Sequence, residues 1–136
     1  MSLRRTHRGD QRRDRGADER GSAAVELVVV FPVVLLLLFA GMQGALLYQA
    51  KATALAAAQD GARTAAGEGR TVDQGYAAAR SFLAASSLGQ KSSDVNGNRT
   101  PTEATFVVTV TSQTVIPLWS PTVTQSASMP VERITG

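Results

Sequence analysis

The sequence predicts an α+β protein. A long N-terminal transmembrane helix continues outside the membrane, a second short helix follows, and a small antiparallel sheet closes the C-terminus. Three observations carry that prediction. Leu27 to Tyr48 form an apolar run with Gln43 as its only strongly polar residue. An alanine-rich stretch follows, then a Thr71-x-x-Gln74 capping box that opens a new helix. From Ala104 the chain switches to period-two alternation, the signature of a half-buried strand.

The 136 residues carry 14 Lys+Arg, 11 Asp+Glu, one His and no Cys, a formal net charge of +3. Without cysteine there is no disulfide scaffold, thiolate metal site or thiol nucleophile. The charge is unevenly placed. Seven arginines (Arg4, Arg5, Arg8, Arg12, Arg13, Arg15 and Arg20), four acids and the only histidine, His7, fall in the first 20 residues. Seven bases and seven acids remain beyond them. Residues 1–21 therefore read as a basic cytoplasmic leader, and residues 1–20 are too polar to order themselves by burial. The leader has no aromatic residue and acids run through it, so it is read as a topology signal rather than a nucleic-acid site.

The 22-residue apolar run would make roughly 33 Å of helix, against a hydrocarbon core of about 30 Å. Its twelve Leu, Val and Phe residues between Leu27 and Phe39 favour insertion by roughly 5 kcal/mol when central-position values are applied throughout. The twenty residues after Tyr48 hold only Lys51 and Arg63 as bases. The positive-inside rule then places the N-terminus in the cytoplasm and the C-terminal part outside a cytoplasmic (inner) membrane, crossed once. The run exceeds the 7–15 residues of a secretory signal, and the small-x-small site Ala50-Lys51-Ala52 lies beyond it in continuing helix.

The junction reads Gly21-Ser22-Ala23-Ala24-Val25-Glu26 and leads straight into the run. Gly21 suits a protease that needs close backbone approach. Glu26 places a carboxylate at the membrane boundary, where helix-dipole complementarity accounts for about 0.3–1 kcal/mol. Pro32 removes a backbone donor and is expected to kink the helix. Ala40, Gly41, Gly44 and Ala45 form two small-x-x-x-small pairs that permit close helix–helix packing.

Residues 20–66 resemble the TadE family of Tad (Flp) pilus proteins, and more broadly the processing region of type IV prepilins and pseudopilins. The resemblance rests on the Ala23-Ala24-Val25-Glu26 entry, Pro32 six residues after the acid, the leucine run, Tyr48, and the exit helix ending in Gly61-Ala62-Arg63. It implies a minor pilin or pseudopilin of a Tad/Flp-type pilus or secretion pseudopilus, incorporated into a cell-surface filament. A membrane-embedded prepilin peptidase would cut after Gly21, making Ser22 the new N-terminus and Glu26 its fifth residue. Glu26 would then pair with the free amine of a neighbouring pilin. Members of that family often carry a second Glu near the end of the span, where this chain reads Met42-Gln43-Gly44.

The helix is expected to continue to about Ala66, giving a segment over residues 22–66, with Leu47, Lys51, Leu55, Ala58, Ala62 and Ala66 as a narrow small-residue face. That face can pack on its own domain or against other subunits. Gly67-Glu68-Gly69-Arg70 breaks the helix and opens a small extracytoplasmic domain, residues 67–136. Its helix should run to about Leu88 and stop at Gly89, with Val72, Tyr76, Ala79 and Leu83 as the apolar face and Phe82 alongside.

Residues 90–103 have loop composition. Asp94, Asn96 and Asn98 are spaced like the start of a calcium loop. Arg99 stands where that loop needs glycine and Thr105 where it needs Glu, so the segment reads as an Asn-Gly turn. Strands are expected over 104–112, over Gln113 to Leu118 and over Pro121 to Ser128, the sheet packing on the second helix. Trp119, beside two prolines, reads as a core plug or an exposed contact, and the core is favoured.

No paired carboxylates, metal-ligand spacing or nucleophile–base set appears, so no enzyme activity, cofactor, metal or small-molecule substrate is expected. The expected partners are the membrane, the peptidase and other pilins. An uncleaved single-pass anchor displaying a small interaction domain is the rival reading, and a protein secreted after cleavage at Ala52 a third.

Overall fold

The computed structural model describes residues 11–134, in the order α1 (Gln11–Ala66), α2 (Val72–Ala85), β1 (Gln90–Arg99), β2 (Glu103–Ser112) and β3 (Thr122–Pro130). The long helix, the short helix and the three-stranded antiparallel sheet of the predicted α+β class are all present. Two compact units divide the chain, Met1–Ala40 and Gly41–Gly136, so the second part of α1 folds with α2 and the sheet.

Part of the leader departs from expectation. Residues 1–10 lie outside the described residues, but Gln11–Arg20 are helical. Helix nucleation is the costly step, whereas propagation adds one hydrogen bond per residue fixed. A polar segment joined in phase to a strongly helical span needs no nucleus of its own.

Within the second unit, α1 buries Ala50, Thr53, Ala54, Ala57, Ala58, Gly61, Ala62, Ala65 and Ala66. The expected stripe is right from Ala58 onward. It is one residue out of phase earlier, since Lys51 and Leu55 are exposed and Ala50 and Ala54 take their place. The face is set by which side chains are small enough to approach α2 and the sheet, and alanine serves better there than lysine or leucine. This face packs on the chain's own domain.

The α2 capping box forms as expected: Thr71 Oγ1 accepts from the Gln74 backbone N–H at 3.4 Å, and Gln74 Oε1 accepts from the Thr71 N–H at 3.1 Å. The helix ends at Ala85, three residues short of Leu88. Its cap is Ser86, whose N–H reaches the carbonyls of Phe82 and Leu83, and Gly89 follows in the connecting turn with φ +80°. Gly75, Ala79 and Leu83 are buried, with Val72, Tyr76 and Phe82 half-buried against the core.

The sheet has three strands, but not the three expected ones. Residues 90–99, read as loop, form β1, which pairs antiparallel with β2. Residues 113–121, which include the expected second strand, are a connecting turn, and the last strand is Thr122–Pro130. The sequence of β1 is polar because only Val95 is buried among its ten residues. Pairing with the central strand β2, not its own composition, makes it a strand. Asn96 and Gly97 sit mid-strand, and the β1–β2 reversal occurs at residues 100–102, tied by the Thr100 N–H to the Glu103 carbonyl at 2.7 Å.

The centre of the core is Phe106. Its ring lies among three glycines: Gly61 of α1, Gly75 of α2 and Gly97, its register partner on β1. A Cβ at Gly75 would collide with Phe106 Cζ and stand 2.7 Å from the Gly61 carbonyl oxygen. The Tyr76 ring meets Phe106 edge-on at 5.4 Å, and its hydroxyl accepts from the Gly97 N–H at 2.7 Å while lying 3.1 Å from the Gly97 carbonyl. Trp119 is not part of this core. It is 44% exposed in the 113–121 turn, because the sheet's inward positions are already filled by Phe106, Val108 and Val110.

Candidate functional site

Gly21, Ser22 and Glu26 all lie within α1, and every residue from Asp18 to Met42 is exposed. The exposed side chains include Val25, Leu27, the five valines and two phenylalanines up to Phe39, and the Leu35–Leu38 run. An exposed apolar surface of this extent needs an apolar medium or apolar partners around it. By length and composition α1 contains one helix able to cross a membrane. Glu26 stands at the edge of that surface, between Val25 and Leu27. Pro32 falls inside the helix, so the carbonyl four residues earlier, at Val28, has no ladder donor.

The glycines of α1 divide by what surrounds them. A side chain at Gly61 would run into Phe106, whereas one at Gly21, Gly41 or Gly44 would meet nothing within 4 Å. A glycine inside a helix costs about 1 kcal/mol relative to alanine. Packing within the chain explains that cost at Gly61 and leaves it unexplained at Gly21, Gly41 and Gly44. Ala40 and Ala45 are exposed beside the last two.

Gln43 does what sequence reasoning missed. It is 4% exposed, and its Oε1 accepts two hydrogen bonds at 3.0 Å, from Thr114 Oγ1 and from the Val115 backbone N–H. The backbone donor fixes the amide's orientation, because Nε2 has no lone pair to offer it. Nε2 is buried with no hydrogen-bond partner among the described residues. Gln43 therefore ties the β2–β3 turn to the helix. The available signal was a single strongly polar residue within an apolar run. At 100° per residue, Gly41 and Ala45 lie on the opposite side of the helix from Gln43.

Among the described residues, no group of three His, Cys, Asp or Glu side chains stands together. Gly21, Ser22 and Glu26 are neighbours along one helix, while Pro32 and the Ala40–Ala45 cluster lie further along it. They form a linear surface, suited to contact with a medium or another helix.

No curated protein and no solved structure matches the chain. The segment from Gly21 to Arg63 does match the family model described as TadE-like protein, the same family whose acidic entry, proline and alanine-rich exit the sequence resembles.

Proposed function

We propose that this chain is a minor pilin or pseudopilin of a Tad-type pilus, made as a single-pass precursor of the inner membrane with its N-terminus in the cytoplasm. The observation that carries the reading is the coincidence of three boundaries at one place. The family match begins at Gly21, the exposed apolar surface begins within five residues of it, and the arginine-rich leader ends beside it at Arg20. A prepilin peptidase would cut between Gly21 and Ser22 and remove the leader. The open surroundings of Gly21 support a role outside the chain's own packing.

After cleavage Ser22 carries a free amine and Glu26 is four residues along. A carboxylate drawn into an apolar helix bundle is costly without a cation, so pairing Glu26 with a neighbouring subunit's amine would set register between subunits. Gly41, Gly44 and their alanine neighbours would allow that neighbour's helix to approach closely. The role is structural, with assembly into a filament as its outcome.

Mass spectrometry of the mature N-terminus tests the reading. Ser22 is expected in cells that contain prepilin peptidase and the uncut precursor in cells that lack it. Met1 in both strains would instead show the uncleaved anchor, and Thr53 the secreted form. The Glu26→Ala chain should still be cut but should fail to co-purify with other pilins.

A further inference from the structure

The folded unit has one charged end and one charge-free end. At the first, Arg99 Nε donates to the Ala65 carbonyl at 2.7 Å and the Glu132 N–H donates to the Ala66 carbonyl at 3.0 Å, with Glu68, Arg70, Glu103 and Arg133 in the same turns and strand ends. At the other, the chain passes three times through segments 41–50, 81–90 and 111–122, none of which contains Asp, Glu, Lys or Arg. These segments are held together there. Gln43 receives the Val115 N–H, the Gln113 N–H reaches the Gly89 carbonyl at 2.8 Å, and Gly89 lies against Leu46 and Gln49 of α1.

This charge-free end also displays apolar side chains to its surroundings. Leu118 is fully exposed, Leu88 is 84% exposed, and Ile116 and Trp119 are each close to half exposed. Leu118 adopts φ +64°, the one left-handed non-glycine residue among those described. That conformation is unfavourable for leucine, and no intrachain contact of its side chain offsets it. The turn is anchored to α1 at Gln43, within the apolar run and eight residues before Lys51. That places the anchor about 12 Å along the helix from the first lysine. Lys51 and Lys91, the residues that follow the first two charge-free segments, are exposed, and lysines in such positions suit contact with lipid phosphates.

We infer that residues 113–121, together with Leu88, form a second membrane contact. The turn inserts Ile116, Leu118 and Trp119 into the headgroup–acyl boundary of the outer leaflet beside the span. A tryptophan flanked by aliphatic residues and free of charge matches the chemistry of that boundary. The inference rests on α1 spanning the bilayer, and adds that the domain is seated on the lipid by its own turn rather than held clear of it.

Trp119 is the only tryptophan, so its fluorescence reports the turn in the full-length chain. The protein is reconstituted into phosphatidylcholine–phosphatidylglycerol vesicles and floated on a density gradient. Lipids brominated near the headgroup end of the acyl chain should remove most of the Trp119 emission, and aqueous acrylamide should remove little. The Ile116→Asp/Leu118→Asp double variant should still float, keep its far-ultraviolet dichroism and exchange one quenching pattern for the other. Floating protein whose tryptophan is quenched by acrylamide and spared by brominated lipid overturns the proposal and leaves the span intact. Shielding from both quenchers that is lost when the protein is diluted in lipid also overturns it, and gives the turn to a neighbouring subunit. Failure to float overturns the spanning reading itself.

Discussion

Two stretches of α1 carry similar amounts of apolar sequence and meet different surroundings. From Leu27 to Phe39 the side chains are large and every one is exposed; from Ala50 to Ala66 the apolar side chains are mostly methyl groups and one face is fully buried. Side-chain size decides the outcome. Alanine and glycine let α2 and β2 approach until Phe106 can fill the space between three backbones. Leucine, valine and phenylalanine hold other elements of the same chain off and present a surface for lipid or for other helices. One continuous helix can therefore present large side chains to an external medium along one stretch and small ones to a protein core along another.

The largest test of that contrast truncates the large side chain that packs on the alanine-rich stretch and one within the exposed stretch. Phe106→Ala should destabilise the folded unit by about 3–5 kcal/mol, the usual cost of emptying a close-packed aromatic site. Leu36→Ala removes a comparable apolar group from an exposed position and should change stability by less than about 0.5 kcal/mol. Thermal unfolding of both full-length variants in detergent, followed by near-ultraviolet dichroism, measures the difference. Equal effects would show that the two stretches are not distinct.

The glycines sharpen the comparison at a smaller scale. Gly75→Ala places a methyl group against the Phe106 ring and the Gly61 carbonyl, and should cost about 1–3 kcal/mol through overpacking. Gly41→Ala meets nothing in the chain and gains helix propensity, so the unfolding temperature should hold or rise. If Gly41 serves close contact between subunits, the same substitution should weaken co-purification with other pilins. Stability and assembly would then move in opposite directions.

Gln43 marks the border between the two stretches. Gln43→Leu strands the Val115 N–H and leaves the Thr114 hydroxyl only the Ile116 carbonyl as an acceptor, for a cost of about 1–3 kcal/mol. Gln43→Glu keeps an acceptor facing both donors and should retain more of the stability than Gln43→Leu at neutral pH. Proteolysis within residues 113–121 should accelerate in the leucine variant, since the turn loses its tie to the helix.

What was legible in the sequence follows the same division. The apolar run, the acidic entry and the capping box are local patterns, and each could be read where it stands. The fate of residues 90–99 could not, because β1 is polar and owes its conformation to its pairing with β2. Val107 and Val108 made β2 plain, but nothing local says that its partner is QKSSDVNGNR. The role of Gln43 depends on Val115, 72 residues away, and was equally hidden. Trp119 lies outside the core for a related reason: glycines far away in sequence had already prepared that core for Phe106. Gly61, Gly75 and Gly97, each inside a regular element, were the sequence's trace of that packing, since such glycines often mark close approach.

The smallest expected effect lies in the short helix. α2 has 14 residues, near the length at which an isolated helix is marginal, so its ends form a large share of it. α1, with 56 residues, is far less dependent on any one terminus. Thr71→Ala removes the acceptor for the Gln74 N–H while leaving the Thr71 N–H to serve the Gln74 side chain, and should cost about 1 kcal/mol. Thr71→Ser should restore most of it, because only the hydroxyl is used. Both bonds are exposed, so water replaces part of what is lost, and the effect stays below that of Gln43→Leu, whose orphaned donor is half-buried. Hydrogen exchange should localise the change to the amides of the first turn of α2, with the core strand β2 unaffected. An effect of Thr71→Ala on β2 protection as large as that of Gly75→Ala would mean that the cap, and not the three-glycine site, holds α2 against the sheet.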